Sequence, residues 1–362
     1  MSNVHFASAK LSALKPDASL PAKFNRMLAG FPLKDMFEGK SVAIKMHLGG
    51  HLGYSTIPPV FAKMLVRQIQ EAGGRPFVTD GSPAIPQAKD RGYTQEVLGC
   101  PIVPAAGLGE KYYSTIPIGY ESLKDVRMCG EIVGADAMIV YSHGKGHGLC
   151  GWGGAIKNIA MGNVTCKSRG DIHSLVDTEF SWNEDACTHC ELCRDNCPAE
   201  AISFRDGKLD IFMHHCRYCM HCVTSCPVGA ITINEGSMRM FQTGMARVTK
   251  ACLDLFEPNR VLYINHVLNV TPFCDCWGFT SPIIVPDVGV LVSTDIAAIE
   301  QASIDMIRTE DFIPGSLPPP YDVRDVQGHL FEKIHGKDPY LQVEESEKVG
   351  LGERKYEIVT VE

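Results

Sequence analysis

Residues 187–198 read C-T-H-C-E-L-C-R-D-N-C-P, and residues 216–227 read C-R-Y-C-M-H-C-V-T-S-C-P. Each is a C-x2-C-x2-C-x3-C-P run, and eighteen residues separate Cys197 from Cys216. Two-residue gaps let three thiolates of one loop reach three irons of a cubane. The fourth Cys, three residues on and followed by Pro, swings toward the other cluster. The ligand sets are therefore expected to cross. Cys187, Cys190, Cys193 and Cys226 would hold one 4Fe–4S cluster, and Cys216, Cys219, Cys222 and Cys197 the second. Structural zinc is the competing reading, because C-x2-C pairs also build tetrahedral zinc sites. Two triple runs, each closed by Cys-Pro, favour the cubanes. The flanks repeat as well: C-P-A-E-A-I-S-F follows the first run and C-P-V-G-A-I-T-I the second.

These runs resemble those of bacterial two-cluster ferredoxins, and the sequence on either side is of another kind. Upstream, S-V-A-I-K-M-H-L-G-G (41–50) is predicted to be a buried strand entering a Gly-rich turn. A helix with apolar residues at helical spacing follows and stops at Gly73-Gly74. R-P-F-V-T-D-G (75–81) is the next strand. That order is a β-α-β unit and implies a parallel sheet. A helix near 88–99, a strand at C-P-I-V-P-A-A and the strand A-D-A-M-I-V-Y-S (135–142) continue the alternation. Residues 1–40 read as an amphipathic lead-in, helical around Phe24, Met27 and Leu28. Downstream, a helix near 238–256, the strand V-L-Y-I-N-H-V (261–267) and I-I-V-P-D-V-G-V-L-V-S resume the β-α order. Asp295 reads as the N-cap of the helix that follows, and Asp287 as a turn residue. The expected fold is α/β: a parallel or mixed sheet body with an inserted α+β two-cluster ferredoxin-like domain. The body occupies 1–180 and 237–315, the insertion 181–236 and a C-terminal extension 316–362, whose final K-Y-E-I-V-T-V-E suits an edge strand.

The 362 residues are enough for a sizeable core. With 45% hydrophobic and 21% charged residues the composition is that of a globular protein. A net charge of -8 argues against nucleic acid as the main partner. Of fifteen Cys, eight lie in the two runs. The other seven are scattered and do not resemble a secreted disulfide framework. No apolar run reaches membrane-spanning length and no leader pattern opens the chain, so the expected setting is a reducing cytoplasm, with no membrane partner.

A second candidate site lies in H-G-K-G-H-G-L-C-G-W-G-G-A-I-K (143–157), directly after a strand. In open α/β sheets ligands bind beyond the carboxyl ends of strands. Gly151, Gly153 and Gly154 would let a cofactor or anion approach the backbone. His143 and His147 could move protons or coordinate metal, and Lys145 and Lys157 could bind an anion or act as amine nucleophiles. Lys45 and His47, at the end of the first strand of the β-α-β unit, are expected on the same sheet edge. Residues 146–151 match G-x-G-x-x-G, but the unit lacks the strand-closing Gly of a nicotinamide site. Cys274-Asp275-Cys276 offers two soft ligands, a further metal or redox pair. Hydrogen bonding inside a tight loop for the two His, and plain burial for the C-x-C thiols, are the alternative readings.

The strand I-K-M-H-L-G-G, the loop S-H-G-K-G-H-G-L-C-G-W-G-G-A-I-K-N-I-A-M-G, both Cys runs and P-F-C-D-C-W-G-F-T-S-P-I-I-V-P-D-V-G-V-L-V-S-T-D together resemble domain-of-unknown-function family 362 in its iron–sulfur form. The resemblance covers roughly residues 40–310. It implies an inserted two-cluster module in an α/β body, and mostly anaerobic prokaryotic hosts. More weakly, G-L-C-G-W-G-G-A-I-K-N-I-A-M-G is similar to the H-x-F-x-G-x-S-G-G-x-K-x-x-x-P-G stretch of lactate racemases, whose Lys anchors a nickel-pincer cofactor. Lys157 matches that Lys and His147 the loop His. Trp152-Gly153 stands in place of the aromatic-Ser pair, and Met161 in place of Pro.

The leading expectation is an iron–sulfur oxidoreductase. Single electrons would pass from a ferredoxin, flavodoxin or reductase through two 4Fe–4S clusters to a small-molecule or cofactor site. Lys45, His47, His143, Lys145, His147 and Lys157 would serve there, with Cys274 and Cys276 as an extra ligand pair. An electron carrier or metal- or cluster-delivery protein without its own reaction is one alternative, and an enzyme with a nickel-pincer-like cofactor another. Family-level analogy puts forward a homodimer.

Overall fold

Val42, Ala43, Ile44 and Met46 are all buried, as befits a strand covered on both faces. The computed structural model describes residues 1–50, 52–176, 180–233 and 237–362. Eight strands form the main sheet: β1 (Ser2–Ser8), β2 (Ser41–Met46), β3 (Arg75–Asp80), β4 (Ile102–Pro104), β5 (Ala137–His143), β6 (Val261–Val267), β7 (Gly289–Ser293) and β8 (Tyr356–Thr360). Their spatial order is β8-β1-β7-β6-β5-β2-β3-β4. β4, β3, β2, β5 and β6 run parallel. β7 is antiparallel to both its neighbours, and β8 is parallel to β1.

The principal helices are α1 (Leu20–Ala29), α2 (Pro59–Glu71), α3 (Ala155–Gly162), α4 (Ser237–Leu253) and α5 (Ile296–Asp305). The pleat assigns them to layers. Val42, Ile44, Ile139, Tyr141, Leu262 and Ile264 share one core with Phe24 and Leu28 of α1 and Phe61 and Leu65 of α2. Ala43, Met138, Val140 and Tyr263 face the other core, with Ile156 and Ile159 of α3, Phe241 and Met245 of α4, and Ile299 of α5. Lys45 stands on the second face, between Ile44 and Met46 of the first.

The α/β fold agrees with the sequence reading; several elements differ. Residues 2–8 form a strand where a lead-in was expected, paired with β7 and β8. The helix expected near 88–99 is three short pieces, Ala84–Ala88, Lys89–Arg91 and Gln95–Leu98, and Gly92, which turns left-handed, separates the last from the others. A hairpin of Tyr113–Tyr120 and Leu123–Cys129 was not anticipated. The expected edge strand near the end of the sequence is β8, and helix Leu341–Lys348 packs against α4 and α5. The extension is thereby built into the body. Asp295 caps α5, accepting from Ala298 N at 3.0 Å, and Asp287 accepts from Asn269 N at 2.7 Å.

The Cys-rich segment lies outside the main sheet. Phe180–Trp182 pairs with Ile231–Ile233, and Ile202–Arg205 with Lys208–Ile211, both antiparallel. The boundary expected at residue 236 lies outside the described residues.

Candidate functional site

Lys45, His47, Asp80 and His143 sit at the carboxyl ends of β2, β3 and β5, which are neighbours in the sheet. A cavity of about 270 Å³ opens there. His147 and Gly153 from the Gly-rich loop, Lys157 and Asn158 from α3, Arg169 and His173 from helix Cys166–His173, His214, and Cys274-Asp275-Cys276 complete its wall. Position follows from packing. Two short strands, Lys145–His147 and Gly151–Gly153, fold the loop back on itself, and α3 starts directly behind them. Buried Glu300 of α5 receives Ala155 N at 2.8 Å and Trp152 Nε1 at 3.1 Å, tying the first turn of α3, and so Lys157, to the body.

Two carboxylates organise the charged groups. Asp80 receives Lys45 Nζ (3.1 Å), His47 Nδ1 (3.2 Å) and Leu48 N (2.9 Å). Burial works to raise its pKa, but the Lys45 charge and the His47 contact more than offset this and hold it below the usual carboxylate range. Asn158 locks the same lysine, accepting its Nζ at 2.7 Å. Asp275 receives Lys145 Nζ at 2.7 Å and faces His143 Nδ1 at 2.9 Å. Against its burial, those two groups keep it ionised. The other His143 nitrogen faces Leu268 O at 2.7 Å.

Lys157 and Arg169 are different. Among the described residues neither has a carboxylate within ion-pair distance, and Arg169 Nε is buried without a hydrogen-bond partner. Lys157 Nζ has Cys274 Sγ at 3.9 Å, and burial lowers its pKa. Three histidines stand beside it. The His214 ring is 5.7 Å from that of His147 and 5.8 Å from that of His173. Burial brings His173 down to about 4 and His214 to about 3, and it lowers His147 as well. All three are neutral at pH 7. A cavity with two uncompensated cations and a neutral imidazole cluster suits an anionic ligand.

The sequence-predicted residues thus divide. Lys45, His47, His143, His147, Lys157, Gly153 and Gly154 line the cavity. Lys145 turns to Asp275 and to Ser55 Oγ at 2.8 Å. Gly151 lies against the C-terminal segment, where a Cβ would come within 2.6 Å of Lys337 O. A Cβ at Gly154 would meet Glu300 Oε1 at 2.2 Å. At both positions the close approach that glycine permits is made by the protein itself. Burial pushes the Cys150 thiol up to about 12. Cys274 and Cys276 are joined in a disulfide, and a His147 ring nitrogen lies within 4.8 Å of both sulfurs.

The eight Cys of the two runs fall into the crossed sets. Cys187, Cys190, Cys193 and Cys226 surround one small cavity; Cys197, Cys216, Cys219 and Cys222 surround another. All eight thiols are free. The loops are built alike. His189 and Tyr218, Glu191 and Met220, and Glu200 and Gly229 occupy matching places, and all six have φ between 49° and 62°. Ala201 N and Ala230 N point at Cys197 Sγ (3.3 Å) and Cys226 Sγ (3.2 Å). Five non-glycine residues of these loops thus hold left-handed backbone, each at a cost of about 1–2 kcal/mol.

Sequence reasoning passed over Asp80, Asp275, Asn158, Arg169, His173 and His214 as site residues. Asp80 ends a strand beside Lys45 and was the most findable. Arg169 and His173 stand four apart on one helix, a spacing that says nothing of a cavity until the helix is placed.

Residues 42–305 match the family described as Domain of unknown function (DUF362). The chain belongs to the DUF362 family. Among solved structures, this DUF362 protein is similar to the lactate racemase apoprotein from Thermoanaerobacterium thermosaccharolyticum, with 14% identity and a TM-score of 0.36 over 74% of this chain and 51% of that one. A Thermotoga maritima protein is similar at 11% identity and a TM-score of 0.36, over 70% and 52%. This chain covers about half the length of each. No curated protein matches. Among the described residues no helix is long and apolar enough to cross a membrane.

Proposed function

We propose that this DUF362 protein is an iron–sulfur oxidoreductase acting on a small anionic substrate in the cavity at the carboxyl ends of β2, β3 and β5. One observation carries the reading: the segment that bears the second Cys quartet also supplies His214, two residues before Cys216, to the cavity wall. The electron-handling part and the binding part are contiguous.

The eight thiols fit two 4Fe–4S clusters, in their grouping, their left-handed loops and the N–H groups aimed at sulfur. Such clusters supply single electrons. Cys190 is exposed while Cys216 and Cys222 are buried, so the first quartet faces a soluble one-electron carrier and the second faces the body. In the cavity, Lys157 and Arg169 would take the substrate anion, and their charge would favour negative charge built up during reduction. Lys45 and Lys145, each already paired, shape the wall. His147 and His173, neutral at pH 7, would hold or pass a proton beside the bound molecule.

The test starts from protein purified without oxygen. About eight irons per chain are expected, falling to about four in Cys190→Ser and in Cys219→Ser. Dithionite-reduced protein is then reoxidised by a panel of small keto- and enoyl-carboxylates. The acceptor that works should lose roughly tenfold or more in rate with Lys157→Ala or Arg169→Ala, the scale of one charge-assisted hydrogen bond. Iron well below one per chain, or a rate indifferent to both substitutions, would overturn the reading.

A further inference from the structure

Cys274 and Cys276 close a ring of three residues. A bridge this short removes little chain entropy compared with one that ties distant segments, so it is no staple. Its surroundings are those of reactive sulfur. Cys276 is exposed and Cys274 buried, with Lys157 Nζ 3.9 Å from Cys274 Sγ. The residue between them, Asp275, is fixed by His143 and Lys145, and this holds both sulfurs at the cavity.

The pair also has a neighbour that points elsewhere. Trp277, next in sequence to Cys276, stacks on His215, with centroids 5.6 Å apart and planes 11° apart. It meets His214 edge-on at 5.9 Å and Phe212 at 5.9 Å. His215 is bonded directly to Cys216. An unbroken chain of contacts therefore runs from the second quartet through His215 and Trp277 to Cys276.

We propose that Cys274 and Cys276 form a redox-active dithiol–disulfide pair. It would be filled by single electrons arriving along the His215–Trp277 contact, and would present them to the cavity two at a time. This rests on the reading of the quartets as cluster ligands, and it adds the device that turns one-electron supply into two-electron chemistry. The disulfide takes up two electrons and the S–S bond breaks. Cys276 draws its proton from water and Cys274 from Lys157, giving two thiols; the lysine regains its proton from solvent. The reductant is a low-potential one-electron carrier, used twice. Oxidation by the acceptor in the cavity returns two electrons and two protons and re-forms the bond.

Reductive titration of the oxidised holoprotein under argon tests this directly. With dithionite as the electron source, wild type should take up about four electrons per chain, one for each of two clusters and two for the pair, and Cys276→Ser about two. Iodoacetamide should label Cys274 and Cys276 in the reduced sample alone, read by mass spectrometry. Trp277→Leu should still reach about four electrons, with the last two entering at least tenfold more slowly. Iron is counted on every sample. A wild type that holds about eight irons and takes only two electrons overturns the pair, as does a Cys276→Ser chain that takes four. Stoichiometric zinc or nickel held by wild type and lost in Cys276→Ser would make the site a metal centre with His147 and overturns it too. An iron-free chain overturns the cluster reading first, and the iron count tells that failure apart.

Discussion

Lys157 and Asp275 stand on opposite sides of one electrostatic rule. A buried charge with a partner is costly to break, and a buried charge without one is costly to keep. Asp275→Ala strands Lys145 and should lose about 3–5 kcal/mol of unfolding free energy. Lys157→Met removes a cation that no carboxylate among the described residues pairs, so its urea midpoint should match or exceed that of wild type while anion binding is lost. A Lys157→Met chain destabilised as strongly as Asp275→Ala would recast Lys157 as a structural residue. The sequence could nominate all four lysines and histidines of the 143–157 loop because the residue types are scarce in such loops. It could not separate Lys145 from Lys157. That difference depends on a carboxylate 130 residues away, brought close by the packing of the C-x-C loop on the sheet edge.

At the scale of elements, α3 depends on a residue of another helix. Glu300 accepts from Ala155 N, Ile156 N, Trp152 Nε1 and Asn265 Nδ2. Glu300→Ala leaves those donors buried and unpaired, and should cost about 3 kcal/mol or more in chemical unfolding; Glu300→Gln, which keeps an acceptor, should cost less. The Cys-run loops invite the opposite experiment. Met220 holds a φ of 62°, so Met220→Gly should relieve about 1 kcal/mol of backbone strain and slow iron loss to a chelator. Both loops were legible because the spacing of their Cys is local. So were β2, β3, β5 and β6, whose apolar runs need no distant information. β1 was not: in residues 2–8 only Val4 and Ala7 are fully buried, and its strand character comes from partners far along the chain. Gly92 broke a helix that apolar spacing alone had joined.

Over the whole molecule, the buried histidines set an acid limit. Burial, helped by the Lys157 charge, brings His173 down to about 4, and burial with the Lys337 charge brings His335 to about 3. The unfolded chain takes up these protons near pH 6.5 and the folded chain does not. Their contribution to stability is therefore complete above about pH 6.5 and is lost as the pH falls from there toward 4. Anaerobic urea midpoints should be level between pH 7 and 8 and decline steadily below 6.5. A midpoint unchanged from pH 7 to 5 would mean that these side chains are solvated in the native state.

The pairing of β1 carries a consequence for how the chain is made. Residues 2–8 leave the ribosome first among the strands, yet their partners in the sheet are residues 289–292 and 356–360. At ~5–20 residues per second, β1 waits on the order of ~15–60 s for its first partner. During that interval β2 to β6, the cavity wall and the Cys-run loops are already available to fold. The open side of the nascent sheet, at β6, stays unpaired until β7 arrives, and only then can β1 and finally β8 close it. If the Cys runs take 4Fe–4S clusters as proposed, their loops are available for loading before the sheet is complete, and a delay in that closure would prolong the interval.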